Sequence, residues 1–434
     1  MIAEVRLWGR TIGAVSWQAD LGYATFEYTP DFAESGIELS PLSVPLGTRV
    51  YAFPELPRVS FRGLPGLLAD SLPDTFGNAL IDAWLASEGR ASDSFNPVER
   101  LCYVGTRGMG ALEFAPVLGP KPGKATKVAV DALVRLASDI LTHRQNLSAR
   151  FTAAGRSRAL ANILKVGTSA GGARAKAVIA WNPATNEVRT GQADADAGFE
   201  HWLLKFDGVR GNRDKERDDP KGYGVIECAY SHMAGEAGIE MTACRLLEEH
   251  GRRHFMTRRF DRPAGRQKLH MQSLAALAHF DFNQAGAYSY EQAFLVLRQL
   301  GLGAKAADQM FRRMLFNIVA RNQDDHVKNI AFLMDRSGQW SLAPAFDVTY
   351  SYNPSGLWTS THQMTVNGKR DGFTMADIRT SGKAAGLKPR QISAAADDVR
   401  AAVRRWPRFA REAGVAAEVA GQIAHTHRVS LPSR

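Results

Sequence analysis

Asp324 and Asn329 stand five positions apart in Asn322-Gln323-Asp324-Asp325-His326-Val327-Lys328-Asn329, and Asp347 follows in Pro344-Ala345-Phe346-Asp347. Phosphoryl transfer uses that spacing. One carboxylate accepts the proton of an attacking hydroxyl, while an amide oxygen and a second carboxylate hold Mg²⁺ against nucleotide phosphates. In this reading Asp324 is the base, Asn329 and Asp347 are metal ligands, and Lys328 is a cation beside the transferring group. The stretch also fits a polar hairpin loop, because Asp and Asn readily build turns. Asp324 with His326 suggests a metal pair, but a single loop histidine more often makes structural hydrogen bonds.

Further parts would serve the same chemistry. The turn Gly167-Thr168-Ser169-Ala170-Gly171-Gly172 lets backbone amides approach phosphate oxygens, since glycine puts no side chain in the way. It is not a Walker A loop, and taken alone an ordinary tight turn explains it more simply. Lys205 ends an apolar strand, residues 201–206, from which its ammonium would reach α- and β-phosphates. Alone it also reads as a lysine snorkelling from a strand end. Glu227, on the next helix, is placed either to pair with Lys205 or to stand in solvent. The order of these parts carries more weight than any one of them.

A rival reading uses the same turn. Gly167-Thr168-Ser169-Ala170-Gly171 spells the nucleophile elbow of a hydrolase, with Asp324 or Asp347 and then His362 completing a triad in the right order. An elbow needs strand, turn and helix. Here a strand, residues 177–181, follows the turn, and the context opposes a hydrolase.

The elements that must position these groups read as a mixed α/β half followed by a mostly helical half. Residues 5–7 and 13–17 form a hairpin, and residues 23–28 a further strand. Residues 76–85 read as helical, and Asn96-Pro97-Val98-Glu99 starts a helix with a capping box and proline in the first turn. Residues 128–141 are helical by spacing, residues 225–237 form a helix ending at Gly238, and residues 254–260 a strand. Met310, Met314 and Ile318 share one helix face, as do Val399, Val403 and Trp406. The proline- and glycine-rich residues 117–126 read as a linker. The expected fold class is α+β, with an N-terminal β-rich domain over residues 1–116, an N-lobe over 127–262 and a helical C-lobe over 263–434.

The net charge of +10 favours an acidic partner such as a nucleotide, nucleic acid or acidic protein, but the basic residues are dispersed. No helix-turn-helix and no aromatic-interleaved basic stripe is apparent, which opposes direct DNA reading by this chain. Cys102, Cys228 and Cys244 form no CxxC pair, so neither a disulfide framework nor a cysteine zinc site is supported. No apolar run approaches a membrane span and the start lacks a signal-peptide pattern, so no membrane partner and a cytoplasmic location are expected.

Several motifs together resemble the HipA-like serine/threonine kinases of bacterial toxin–antitoxin modules. They are Gly63-Leu64-Pro65-Gly66-Leu67-Leu68-Ala69-Asp70, Arg100 to Gly105 with Gly108-Met109-Gly110, Arg259-Phe260-Asp261-Arg262, and the loops bearing Asp324, Asn329 and Asp347. The resemblance implies a bilobal protein-kinase-like fold that uses ATP and Mg²⁺. It implies Asp324 as catalytic base, Asn329 and Asp347 on Mg²⁺, and Lys205 on the nucleotide phosphates. Gly167, Ser169, Gly171 and Gly172 would form the phosphate loop, and backbone groups at Arg258 and Phe260 would meet adenine. Ser169 would be autophosphorylated, with Thr168 an alternative acceptor. A small helix-turn-helix antitoxin resembling HipB would bind the chain and bring it to operator DNA. The protein substrate would be a translation component such as an aminoacyl-tRNA synthetase. The alternative within this resemblance is a corepressor with little kinase activity.

Overall fold

Trp8 and Gly9 adopt φ of 51° and 82°, the left-handed pair that a two-residue hairpin turn needs. They join β1 (Ile2–Leu7) to β2 (Arg10–Gln18), which pairs with β3 (Tyr23–Tyr28). Ala3, Val5 and Leu7 alternate inward with Ala24, Phe26 and Tyr28, so one face of the sheet is core. A Cβ at Gly13 would meet the Glu27 carbonyl oxygen at 2.3 Å, which is why glycine stands at that crossing. On the far side β1 pairs with β4 (Leu112–Ala115), giving an antiparallel order β3-β2-β1-β4. The expected cap is present: Asn96 Oδ1 accepts from Val98 and Glu99 amides at 2.9 and 3.1 Å, and Glu99 Oε2 accepts from the Asn96 amide at 2.8 Å. It starts the helix Pro97–Val104.

The computed structural model describes residues 1–120, 125–142, 174–191, 197–209, 213–214, 217–218, 222–263 and 267–433. These fall into two compact units: Met1–Lys221 with Leu247–Gln272 and Met334–Gly338, and Gly222–Leu246 with Ser273–Leu333 and Gln339–Arg434. Part of the expected linker and the whole of the glycine-rich turn lie outside the described residues.

The first unit also holds β5 (Lys176–Trp181), β6 (Val188–Thr190) and β7 (Glu200–Lys205), in a sheet ordered Cys244–Glu249, Arg252–Arg258, β7, β5, β6. Its last hairpin turns at His250 and Gly251, again with positive φ, 48° and 74°. Ala177, Ile179 and Trp181 on β5 and Trp202 and Leu204 on β7 face one way. They pack against Phe76 and Leu80 of the helix Thr75–Ser87 and Leu133, Ala137 and Ile140 of the helix Val130–Thr142. Cross-strand partners in an antiparallel sheet share a face. Lys205 and Phe255, partners in register, therefore lie on the face opposite those two helices.

The second unit is mostly helical. Met310, Met314 and Ile318 line the buried face of the helix Ala304–Val319, as their spacing predicts. Val399 and Val403 lie on the helix Pro389–Arg404, but Trp406 opens a separate helix, Trp406–Ala413. Pro407 cannot donate to the preceding turn, so the chain restarts there while Trp406 stays in the core. Tyr230 packs edge-on against Trp406 and Phe316, with ring centroids 5.1 and 6.1 Å apart. The architecture is α+β. Among the described residues no helix is long and apolar enough to cross a membrane.

Candidate active site

The helix Ala304–Val319 ends where Arg321 takes φ of 59° and turns the chain out of its axis. The Arg321 guanidinium holds that turn: Nε donates to the Thr426 carbonyl at 2.8 Å and Nη1 to Gln323 Oε1 at 3.0 Å. Asn322 then ties the new loop back to the helix, its Nδ2 donating to Asn317 Oδ1 at 2.9 Å. The loop that emerges carries Asp324 to Asn329 and closes with a short 3-10 turn, Val327–Asn329.

Asp324 is half-buried, and its Oδ1 accepts from the Trp358 indole N–H at 2.7 Å. Asn329 Nδ2 donates to the Asp324 main-chain carbonyl at 3.0 Å. That bond orients the amide nitrogen toward the loop, so the oxygen is the atom that could hold a cation. Asp347 has φ of 54°, a left-handed backbone that Asp tolerates better than most residues. The Ala345 amide donates to the Glu240 carbonyl at 2.8 Å and Arg313 Nη2 to the Ala343 carbonyl at 2.7 Å, so the segment before Asp347 is held from two sides. Burial pushes the Arg313 guanidinium down to about 10.

Asn329 and Asp347 share the lining of one small cavity with Asn322, Asp325, His326 and Arg313, about 30 Å³ in volume. That is room for a water or an ion. Among the described residues no group of three or more His, Cys, Asp or Glu side chains forms a metal cage. One carboxylate and one amide oxygen suit Mg²⁺, which keeps most of its waters and takes its other ligands from phosphates. His326 lines the same cavity; its Nε2 is 3.9 Å from Asp324 Oδ1, and its ring lies 6.2 Å from that of Phe282. Lys328 sets its ammonium over the Phe282 face at 4.7 Å.

Sequence reasoning missed the groups behind the loop. Asp325, next to the candidate base, is buried and accepts from Tyr290 Oη at 2.9 Å and the Gln363 amide at 2.8 Å, with His362 Nδ1 at 2.9 Å. His362 therefore pairs with neither Asp324 nor Asp347, the acids that a Ser169 hydrolase triad would require. The signal available in sequence was Asp325 itself, an acid doubled beside the candidate base.

In the first unit, Lys205 lies at the end of β7 with its ammonium 5.7 Å from the Phe255 ring centroid. Beside it on β5, Lys176 is buried and paired with Asp74 at 3.1 Å. Arg258 closes its strand opposite Trp202, its Nη1 3.7 Å from Glu200 Oε1, and Phe260 follows in a turn, partly exposed. Directly after them the chain is locked by Asp261, which is fully buried. It accepts from Arg259 at 2.9 and 2.7 Å, Arg262 at 2.7 Å and the Gly110 amide at 2.7 Å. Burial pushes the Asp261 carboxyl up, but the Arg259 and Arg262 guanidinium charges outweigh it and hold the carboxyl well below its usual range. The Arg259-Phe260-Asp261-Arg262 and Gly108-Met109-Gly110 motifs are thus one junction. Gly167, Thr168, Ser169, Gly171 and Gly172 lie outside the described residues. Glu227, in the second unit, is 1% exposed rather than solvated.

The chain matches two family models: the HipA-like C-terminal domain over residues 168–406 and the HipA N-terminal domain over residues 3–115. No curated protein matches it. Among solved structures, the Shewanella oneidensis MR-1 toxin–antitoxin complex of HipA, HipB and operator DNA aligns over 98% of this chain and 94% of its own. The TM-score is 0.65 and the identity 17%, so the two share a fold. The Helicobacter pylori proinflammatory kinase CtkA aligns over 54% of this chain and 84% of its own at 12% identity, with a TM-score of 0.34, a likeness too slight to define the fold. The N-terminal match takes in the sheet β3-β2-β1-β4 and the C-terminal match takes in Lys205, Asp324, Asn329 and Asp347, and the chain belongs to the HipA-like family.

Proposed function

We propose that this chain is an ATP- and Mg²⁺-dependent protein serine/threonine kinase serving as the toxin of a toxin–antitoxin module. The observation that carries the reading is the single loop on which Asn329 Nδ2 is bonded to the Asp324 carbonyl. It would present a carboxylate base and a ligating amide oxygen as one piece, and Asn329 shares one small cavity with Asp347. Mg²⁺ held by Asn329 and Asp347 would neutralise charge on the phosphate oxygens. Asp324 would take the proton of a serine or threonine hydroxyl as its oxygen bonds the γ-phosphorus and the bond to the bridging oxygen of ADP breaks. Lys205 would hold the α- and β-phosphates, and Lys328 would face the charge on the transferring group. Most of the rate comes from positioning and charge, since phosphoryl transfer asks little covalent help of a protein.

The HipB and operator DNA in the Shewanella complex support a small DNA-binding antitoxin as partner here, with DNA reached mainly through it. A net charge of +10 suits an acidic face on either. A cytoplasmic translation component such as an aminoacyl-tRNA synthetase is the proposed substrate, and Ser169, or Thr168, the proposed site of autophosphorylation. The test is incubation of purified protein with γ-labelled ATP and Mg²⁺. Label should enter the chain and vanish with Asp324→Ala. ATP binding without transfer would favour a corepressor.

A further inference from the structure

Asp324 and Asp325 are adjacent carboxylates on one loop, yet the structure turns them to different tasks. Asp325 is 4% exposed and surrounded by donors: Tyr290 Oη, the Gln363 amide and the His362 ring. Tyr290 is in turn held by Asn317 Nδ2 at 2.9 Å, from the helix that launches the loop. Asp324 points to a half-buried place and receives the Trp358 indole N–H on Oδ1. Trp358, His362 and Gln363 belong to one short stretch, and the Gln363 side-chain amide donates to the Trp358 carbonyl, closing that stretch on itself.

An indole N–H donates and never accepts, and its ring has only two torsions, so it is a rigid pointer for a carboxylate. That bond fixes the rotation of the carboxylate that would meet an incoming hydroxyl. A base misplaced by about 1 Å costs about 100-fold in rate, which makes such a pointer matter more to the reaction than to the fold.

We propose that Trp358 is the positioning residue of Asp324, that Asp325 with His362 and Gln363 anchors the stretch bearing Trp358, and that this clamp holds the Asp324 carboxylate in the orientation in which it takes the substrate proton. The proposal rests on the phosphotransferase reading above and goes beyond it by assigning residues outside the loop to the working geometry of the base.

The experiment uses the full chain, γ-labelled ATP and Mg²⁺, and follows the rate of label entry at saturating ATP, the half-saturating ATP concentration and the unfolding midpoint. Trp358→Phe keeps a ring and removes the N–H. It should slow transfer about tenfold or more while half-saturation and the midpoint stay close to wild type. His362→Ala should slow transfer too, and His362→Gln, which restores a donor to Asp325, should recover part of the rate. Wild-type transfer rates in Trp358→Phe overturn the proposal. So does a loss of rate that always travels with equal losses of ATP affinity and stability in Trp358→Phe and both His362 variants, since that is a structural role alone. If wild type itself transfers no label, the kinase reading has failed and the proposal falls with it. If wild type labels, Asp324→Ala does not, and Trp358→Phe labels normally, only the clamp has failed.

Discussion

The ammonium of Lys176 lies 3.1 Å from Oδ2 of Asp74, with the two side chains 2% and 3% exposed. Asp74 Oδ1 at the same time accepts the Gly77 amide at 2.6 Å and caps the helix Thr75–Ser87. One carboxylate thus joins the first turn of a helix in the N-terminal region to the first residue of β5, which leads away from the glycine-rich turn.

Removing one partner of a buried pair leaves a charge without compensation. Asp74→Ala is expected to lower stability by about 3–5 kcal/mol, the lost cap adding about 1 kcal/mol. Lys176→Met alone should also destabilise, because it removes the ammonium 3.1 Å from a buried carboxylate. The combination of both should be less damaging than the two effects added, since no buried charge remains. Urea unfolding of the four proteins checks this, and simple additivity would count against the pair.

The Asn329 tether makes a separable prediction. Asn329→Asp keeps an oxygen ligand but turns a donor into an acceptor facing the Asp324 carbonyl. Phosphate transfer should fall by about 100-fold or more, with little change in the unfolding midpoint because the loop is also held through Asn322 and Asp325. Label transfer and thermal unfolding measured side by side decide it.

Asp347 can be probed through its backbone. Asn shares the tolerance of Asp for a φ of 54°, so Asp347→Asn should fold normally and lose transfer. Asp347→Val should lose stability as well, by about 1–3 kcal/mol, because a β-branched side chain is strained there. Equal midpoints for the two variants would show that the segment relaxes.

Stability should fall on mild acidification. Burial depresses His254 to about 4, His270 to about 3 and His427 to about 4, whereas in the unfolded chain each titrates near 6.5. Between about pH 6.5 and 4 the unfolded state therefore binds more protons, and stability rises with pH through that window. His254 is one visible cause, since its Nδ1 accepts the Asp207 amide at 2.9 Å and so stays neutral. Urea midpoints at pH 7, 6, 5 and 4 should drop steadily, and a flat series would contradict the burial of these rings.

The amino-acid sequence by itself determined what depends on neighbours a few positions away. Asn96 and Glu99 specify their capping box, Val5 and Phe26 their strand faces, and Asp324 and Asn329 a spacing that one loop and one short turn can realise. Backbone geometry alone brings such residues together, so the order of types carries the information. Tertiary structure decided the rest. Asp325 meets Tyr290 and His362, Lys176 meets Asp74, and Asp261 meets Gly110, all from distant parts of the chain. No periodicity links those positions. Even Trp406, spaced as if on the helix of Val403, starts a new one because Pro407 follows it. Buried charges and donors find partners only after the core has closed, since the cost of leaving them unpaired arises when water is gone.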